Sequence, residues 1–514
     1  MAVEYIIVQA GGKGTRLGYL TENKPKALVP VENLPMIFHL FRKYPDKRFI
    51  IIADYKKDVL REYLSVFADV KYQVVEAEGS GTCSGLSAAL RLIPGGQPFM
   101  FIWSDLILPK TFELPVDYQE GQIAKYDYVG LSETFPCRWK YEDQKFQEER
   151  SEKYGVAGLF LFTAKEKLDE VPVSGEFVRF LKEQKKTYHT IGIGGTREFG
   201  ILAEYEKLEQ QKCRPFNRIT VREDVERNRT ILVKEAVDAQ GESLARRECA
   251  WYDKAKKLEI PVLPEIYRTN PLEMEYIDGN NIYELNFSYE QKHHILEQLI
   301  LSLKKLHQAE QVPADSFSIH EAYYNKTMNR LSKIQDLIPF AREREIRING
   351  KLCRNVYYYK RELERKLQKL VDNCSEFSFI HGDCTFSNMM IRKNGEPVLI
   401  DPRGYFGFTQ LYGDVRYDWA KLYYSVVGNY DQFNLKRFRL SVGQSADDGV
   451  KLEVQSNHWE DMESDFFALT GCNPEEIKLL HAVIWLSLTT YAWQDYDSVC
   501  GAFYNGLLYL EDVL

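Results

Sequence analysis

Nowhere in this chain of 514 residues do apolar residues run unbroken for the ~18 positions that a membrane-spanning helix requires. A helical membrane protein is therefore not expected. The opening stretch MAVEYIIVQAGG is too short in its apolar part, and carries acidic Glu4 where a secretory signal is basic, so the expected location is cytoplasmic. Paired cysteines are lacking too: the nine are odd in number, none forms a CxxC pair, and no His/Cys cluster has zinc-ligand spacing. This excludes a disulfide framework and suits free thiols. An excess of positive charge is also missing, since 67 Lys and Arg face 75 Asp and Glu for a net charge of −8. Nucleic acid would have to find a local patch. The basic stretch from Arg342 to Arg365 is the one candidate, and its charges recur at helical spacing, which reads as a solvated helix face. Internal repeats and low-complexity tracts are absent.

What is present is the balance of a water-soluble globular protein, 44% hydrophobic and 28% charged, at a length that suits roughly two to four domains. In the first hundred residues Tyr5 to Val8, Phe49 to Ile52, Lys71 to Val75 and Pro98 to Trp103 read as buried strands with helical segments between them, an order that implies a parallel α/β sheet. The helical run REFGILAEYEKLEQQK closes this unit, and Cys213-Arg214-Pro215-Phe216 breaks the pattern. From Phe216 to Glu275 the chain reads strand, strand (TILVKEAV), helix (SLARRECAWYDKAKKL), strand (LEMEYI). Beyond Gly279 it is mainly helical, with short strands at Phe377 to Ile380 and Pro397 to Ile400, and a hairpin at Phe438 to Gln455 around GQSADDG.

Two motifs carry chemistry. The first is QAGGKGTRLG (Gln9 to Gly18), directly after an apolar strand and followed by ENKPKALVPV. Its glycines let backbone N–H groups approach a phosphate, while Arg16 and Lys26 supply positive charge where an attacked α-phosphorus gains negative charge. The plain alternative is a glycine turn flanked by two solvated bases. The spacing fits neither GxGxxG, because Leu17 stands at the third glycine, nor GxxxxGK[ST]. The pattern GGxGTRL with KPKxL resembles the nucleotidyltransferases that make sugar nucleotides and CDP-alcohols. The resemblance extends through GSGTCSGLSAAL (Gly79 to Leu90) and MFIWSDLIL, over roughly residues 3 to 208. It implies nucleotide contacts at Gly11, Gly12, Gly14, Thr15, Gly81 and Thr82, a triphosphate contact at Arg16, Lys26 against the acceptor phosphate, and Asp105 as ligand of a catalytic Mg²⁺. A second metal-binding Asp, common in that family, is replaced by Gly192 in HTIGIGGTREFG. Either another carboxylate completes the site or transferase activity is weakened.

The second motif is FIHGDCTFSNMMIRKNGEPVLIDPRG (Phe379 to Gly404). Phosphoryl transfer from ATP needs a carboxylate to orient the attacking hydroxyl and oxygen ligands for magnesium. Asp383 and Asn388 are spaced as in HRDxxxxN, and Asp401 ends the next apolar strand as the DFG aspartate does. The alternative is a core His381 beside ordinary loop acids. The HGD and IDPRG forms resemble aminoglycoside, choline and ethanolamine kinases, over about residues 216 to 514. That resemblance implies Asp383 as catalytic, His381 as scaffold, Asn388 and Asp401 as Mg²⁺ ligands, Lys234 on the ATP phosphates with Glu248 as its partner, a hinge at LEMEYIDG that includes Glu275, and Asp414 and Asp418 as braces. No glycine-rich loop precedes Lys234, and Arg403 replaces a frequent acid, which tilts the acceptor toward an anionic group. The C-terminal HAVIWLSLTTYAWQDYD has the aromatics to cage a quaternary amine, but helix core is the favoured reading.

The expected architecture is thus an α/β, Rossmann-like nucleotidyltransferase domain with a mixed, mostly parallel sheet (1–212), followed by an α+β, protein-kinase-like domain (213–514). The latter divides into a small sheet lobe to about 278 and a larger helical lobe. The expected function is bifunctional: ATP-dependent phosphorylation of a small alcohol or amino-alcohol, then transfer of a nucleotidyl group, CTP being the expected donor, toward a capsule or cell-envelope precursor. Three alternatives stay open. They are a kinase with a degenerate nucleotide-binding N-terminal domain, a sugar-1-phosphate nucleotidyltransferase with a kinase-like partner domain, and two binding scaffolds without turnover. Self-association is compatible with the sequence but not specified by it.

Overall fold

Four apolar runs early in the chain form strands β1 (Tyr5–Gln9), β2 (Arg48–Ala53), β3 (Lys71–Glu76) and β4 (Phe99–Trp103) of a computed structural model that describes residues 3–208, 217–225, 228–237 and 239–514. They pair in parallel in the order β4, β1, β2, β3. The first, second and fourth are buried on both faces, as sheets covered by helices require. Strand β3 is different: its residues are exposed or half-buried because it is the sheet edge, which corrects the reading of a buried strand there. The sheet also continues beyond β4 in the antiparallel sense. Short β5 (Leu106–Ile107) leaves the edge, β6 (Tyr128–Ser132) and the fully buried β7 (Gly155–Phe162) follow, and β7 pairs antiparallel with both β4 and β6. Strand β8 (His189–Gly192) is parallel to β6. The sheet is therefore mixed, with parallel and antiparallel halves. Its core gathers Ile7, Ile50, Phe101, Phe160 and Phe177 on one face.

Residues Arg197–Glu198, expected to open a helix, instead form β9, antiparallel to β5; the helix is confined to Leu202–Glu206. Residues Met1–Gln211 and Trp493–Asp497 form one compact unit, and Lys212–Ala492 with Ser498–Leu514 the other. In the first unit the buried Lys24 pairs with Asp497 and, at 3.2 Å, with Asp495. The expected break at Cys213–Phe216 lies outside the described residues.

The second unit opens with β10 (Asn217–Asp224) and β11 (Arg229–Ala236), an antiparallel pair whose connection includes residues 226 and 227, outside the described residues. Helix α1 (Ala239–Lys257) follows, then β12 (Ile266–Thr269), which the sequence reading missed, and β13 (Leu272–Glu275); the sheet order is β10, β11, β13, β12. Helix α2 (Tyr289–Ala309) starts with a reciprocal capping box between Ser288 and Gln291. The stretch from Arg342 to Arg365 is not one helix face: Glu345–Ile348 and Lys351–Arg354 pair as a hairpin, and Ile348 meets Val450 of the expected hairpin Phe438–Val442/Val450–Val454. Alternation at Ile346 and Ile348, both buried, is the strand signal that the regular charge spacing concealed. Helix α3 (Lys360–Asp372) comes only afterward. Strand β14 (Glu376–Phe379) leads into the HGD loop, β15 (Met389–Arg392) and β16 (Pro397–Leu399) form a hairpin after it, and helices α4 (Val415–Val426) and α5 (Pro474–Leu488) are buried nearly all round. Trp485 of α5 is fully buried between Tyr424 and Phe433, so the helical part of the aromatic stretch is core, while Tyr491 beyond it is 51% exposed.

Candidate active sites

In the first unit, strand register places the site. Gln9, the last residue of β1, stands opposite Ile52 on one side and Trp103 on the other. The glycine loop and the Ser104-Asp105 corner therefore leave the same carboxyl edge, where open α/β sheets bind ligands. Gln9 draws in a third loop, because its Nε2 donates to the carbonyls of Thr82 (3.0 Å) and Ser84 (3.3 Å). The glycines differ in what they do. A Cβ on Gly11 would lie 2.7 Å from Cβ of Asp54, and one on Gly81 would lie 2.4 Å from the Gly175 carbonyl oxygen, so packing alone demands these two. Gly14 has φ +65° and caps the 3-10 turn that begins at Thr15. A Cβ on Gly12 would meet nothing within 4 Å; no protein atom requires glycine there, and the vacant space suits a phosphate or a nucleotide. The Thr82 hydroxyl accepts from Phe177 N–H (2.8 Å), which leaves its proton and one lone pair for a ligand.

Lys26 Nζ pairs with Asp105 Oδ2, both side chains being mostly buried, and Asp105 Oδ1 is buried with no hydrogen-bond partner. Arg16 is 65% exposed and reaches Glu198 at 4.0 Å. Glu198 was not singled out from the sequence. The β5/β9 pairing and a bond from Phe199 N–H to the Asp105 carbonyl (3.3 Å) bring it beside Asp105. Burial and the charge of Asp105 raise its pKa, against the opposing pull of Lys26 and Arg16. Gly192 does not stand in an empty place: a Cβ there would fall 2.2 Å from Glu133 Oε1.

In the second unit, Lys234 on β11 is buried and shared by two carboxylates, Glu248 of α1 at 2.6 Å and Asp401 at 2.9 Å. Burial works to lower the Lys234 pKa, but Asp401 and Glu248 outweigh it and hold the ammonium charged. Asp401, which follows β16 by two residues, adopts φ +55°, a conformation of limited access to non-glycine residues. His381 is fully buried and works as scaffold. Its Nδ1 accepts from Asp383 N–H (3.2 Å), so its Nε2 carries the proton and donates to the Ile400 carbonyl (3.0 Å). Burial depresses its pKa, which fits this neutral tautomer. Asp418 accepts from the N–H groups of His381 (2.9 Å) and Gly382 (2.7 Å) and from the His307 ring (2.9 Å). Asp414, grouped with it as a brace, does something else. It caps α4 through Arg416 N–H and binds Tyr323 and the Arg416 guanidinium. Asn388 Nδ2 donates to the Asp383 carbonyl (2.8 Å), leaving Oδ1 for a metal.

Asp383 itself pairs with Lys421 at 2.9 Å. Burial pushes its carboxyl upward, yet Lys421 and Arg403 prevail and hold it at about 2. Lys421 escaped the sequence reading, although its position three residues after Asp418 on the same helix was the available signal. Glu275 needs a correction. Its carboxylate forks Arg392 and accepts from Glu265 N–H (3.1 Å), while its own N–H donates to the Glu265 carbonyl (2.8 Å). Neither its side chain nor its amide is available to adenine, because the strand ladder and Arg392 use both.

A glycine loop with open space at Gly12, leaving the same sheet edge as a Lys–Asp pair, and a Lys–Glu–Asp trio in the unit that also holds an ionised aspartate are the parts that phosphate-group transfer uses. Comparison with known proteins agrees: residues 6–114 match the MobA-like NTP transferase domain, and residues 217–441 match the phosphotransferase enzyme family. Neither match covers half of the chain; they place a domain similar to NTP transferases in the first unit and a kinase-like domain similar to phosphotransferases in the second. Among its relatives, the bifunctional IPC transferase and DIPP synthase of Aquifex aeolicus is 27% identical over 263 residues, 48% of this chain and 55% of that protein. Glucose-1-phosphate cytidylyltransferase of Salmonella typhimurium is 25% identical over 157 residues, 25% of this chain and 60% of that one. The bifunctional protein GlmU of Methanococcus maripaludis is 26% identical over 117 residues, 22% of this chain and 28% of its own length. The chain thus spans under a third of the GlmU protein and just over half of the Aquifex protein. No helix among the described residues is long and apolar enough to cross a membrane.

Proposed function

We propose that the second unit phosphorylates the hydroxyl of a small molecule with ATP, and that the first unit joins the phosphorylated product to a nucleotide, with release of pyrophosphate, to give an activated precursor for capsule or envelope synthesis. The observation that carries the kinase half is the trio Lys234, Glu248 and Asp401 beside an ionised Asp383. Lys234 is held, charged and immobile, to grip the α- and β-phosphates. Asp383 accepts the hydrogen bond of the acceptor hydroxyl and aims its oxygen at the γ-phosphorus. As the new P–O bond forms, the bond to ADP breaks and the hydroxyl proton passes through Asp383 to water.

In the first unit the backbone around Gly12 receives the triphosphate, Arg16 and Lys26 offset the charge that gathers on the α-phosphorus, and a phosphate oxygen of the acceptor displaces pyrophosphate. CTP is the proposed donor, in line with the cytidylyltransferase of Salmonella typhimurium. Among the described residues no three or more His, Cys, Asp or Glu side chains form a ready-made metal cage. Magnesium in phosphate-transfer sites needs only one or two carboxylates beside the phosphates. The unpartnered Asp105 Oδ1 fits such a role in the first unit, with Glu198 as the carboxylate that replaces the one missing at Gly192; Asn388 and Asp401 fit it in the second. When bound, magnesium would neutralise phosphate charge.

A mass-spectrometric screen of alcohols, amino acids and sugars with ATP and mixed NTPs tests both halves at once. Asp383→Asn should abolish the phosphorylated product, and Asp105→Asn should abolish only the nucleotide-linked one. Pyrophosphate release from no NTP with any phosphorylated acceptor would leave the first unit as a nucleotide-binding module.

A further inference from the structure

The surroundings of Asp383 hold far more positive charge than one carboxylate needs. Tyr417 is the centre of the cluster. Lys326 Nζ lies 5.6 Å and Lys421 Nζ 6.0 Å from its ring centroid, and the Arg403 guanidinium donates to its hydroxyl at 3.3 Å. Arg403 also lies 5.3 Å from the Tyr405 ring, and its Cβ is 3.0 Å from where a Cβ on Gly382 would stand, which sets it against the HGD loop. Arg330 is one helical turn beyond Lys326 and is aimed inward by bonds to the carbonyl (2.5 Å) and hydroxyl (3.1 Å) of Ser487. The acidic groups that face this cluster are Asp383, already paired with Lys421, and Glu321. Among the described residues no carboxylate forms an ion pair with Lys326, Arg330 or Arg403. Burial first, and then the repulsion of Arg403, Arg330 and Lys421, push the Lys326 pKa well down, with Glu321 opposing them only in part.

Desolvated cations without counter-charge are costly, and a bound anion removes the cost. The triphosphate has its own lysine: Lys234 pairs with Glu248 and Asp401, with which none of these four cations pairs. An amino-alcohol would bring a further positive charge to a place that repels it. We propose that the acceptor is an anionic alcohol, a small molecule whose carboxylate or phosphate is held by Lys326, Arg330 and Arg403 while its hydroxyl meets Asp383. This rests on the kinase reading and names the substrate class for it. The transfer is unchanged: the hydroxyl oxygen gains the γ-phosphoryl group, ADP departs, and the proton leaves by way of Asp383.

The test uses the full chain with magnesium and ATP, follows ADP release, and offers four probes at equal concentration: glycerate, glycerol 3-phosphate, glycerol and choline. One anionic probe should exceed glycerol and choline at least tenfold in kcat/KM, and the stronger of the two tells carboxylate from phosphate. Lys326→Met and Arg403→Met should raise KM for that probe at least tenfold and leave KM for ATP within twofold, with Arg330→Lys as the milder change. In parallel, calorimetric titration of both anionic probes into protein saturated with the non-hydrolysable analogue AMP-PNP and magnesium measures binding without turnover. Turnover of choline or glycerol at the rate of the anions overturns the proposal and leaves the kinase standing. Absence of binding heat from both anions also overturns it. Anion binding that Lys326→Met abolishes, with no ADP from any probe, supports the anionic site and counts against the kinase reading instead.

Discussion

Lys234→Met is the most informative single change in the second unit. It keeps the apolar stem and removes the one charge that Glu248 and Asp401 share. The Lys234 and Glu248 side chains are each 7% exposed and that of Asp401 is 21% exposed, so solvent screens little of the loss. Removing one member of a buried pair leaves uncompensated charge behind, at a cost of about 3–5 kcal/mol. At roughly 2–4 °C per kcal/mol for a large unit, melting should fall by roughly 6–20 °C. Because the Lys234 pKa is raised, its contribution is full at neutral pH and is lost only as pH climbs through the folded-state value, so pH 7 shows the whole effect. Scanning calorimetry of the full chain, reading the transition that ATP with magnesium raises in the wild type, supplies the number. Adding Glu248→Gln should recover part of it, since the pair is coupled. A loss below about 1 kcal/mol, on the scale of a surface pair, would refute the reasoning, as would unchanged ATP affinity.

The two neighbouring glycines of the first unit should part company. Gly11→Ala forces a Cβ against Asp54 and should cost about 1–3 kcal/mol in stability. Gly12→Ala should leave melting unchanged and raise KM for the nucleoside triphosphate; equal effects on stability would count against a ligand space at Gly12. For Asp383, a carboxyl lowered from 3.8 to about 2, the stabilising contribution is present above 3.8 and lost as pH falls through about 2. Wild-type phosphorylation should therefore show no acidic limb from this group between pH 5 and 8. Lys421→Met, which removes the largest lowering influence while burial stays, should move an acidic limb upward in the profile of kcat/KM, and an unmoved limb would exclude Lys421 as its cause.

Motifs whose residues sit close in sequence and end on strands were legible before any coordinates, because a strand end fixes where the next loop points. That holds for Gln9 to Gly18, for Asp105 after β4 and for Phe379 to Gly404. Pairs formed across elements were less legible. Glu198 carries no local signature and Lys421 only its helical spacing from Asp418, and the β5/β9 ladder and the packing of α4 bring them to Asp105 and Asp383. The edge position of β3 was hidden because composition reveals an apolar strand but not its neighbours. In the stretch from Arg342 to Arg365, charge spacing imitated a helix while two buried isoleucines at alternate positions specified a strand. At Glu275 the carboxylate and N–H are engaged by Arg392 and Glu265, which residue type alone does not reveal because hydrogen-bond availability depends on the neighbours.

Asp418 hangs the HGD loop from the interior through two backbone amides, and Arg403 adds a third backbone tie to His381, whereas Lys326 and Arg330 join the cationic cluster through their side chains. Aim and appetite thus meet only at Arg403, while Asp418 serves the first and Lys326 and Arg330 the second. Exchanges among the cations can redirect which metabolite is taken without retuning the machinery that delivers the phosphoryl group, so descendants of this chain could change diet by a few point mutations.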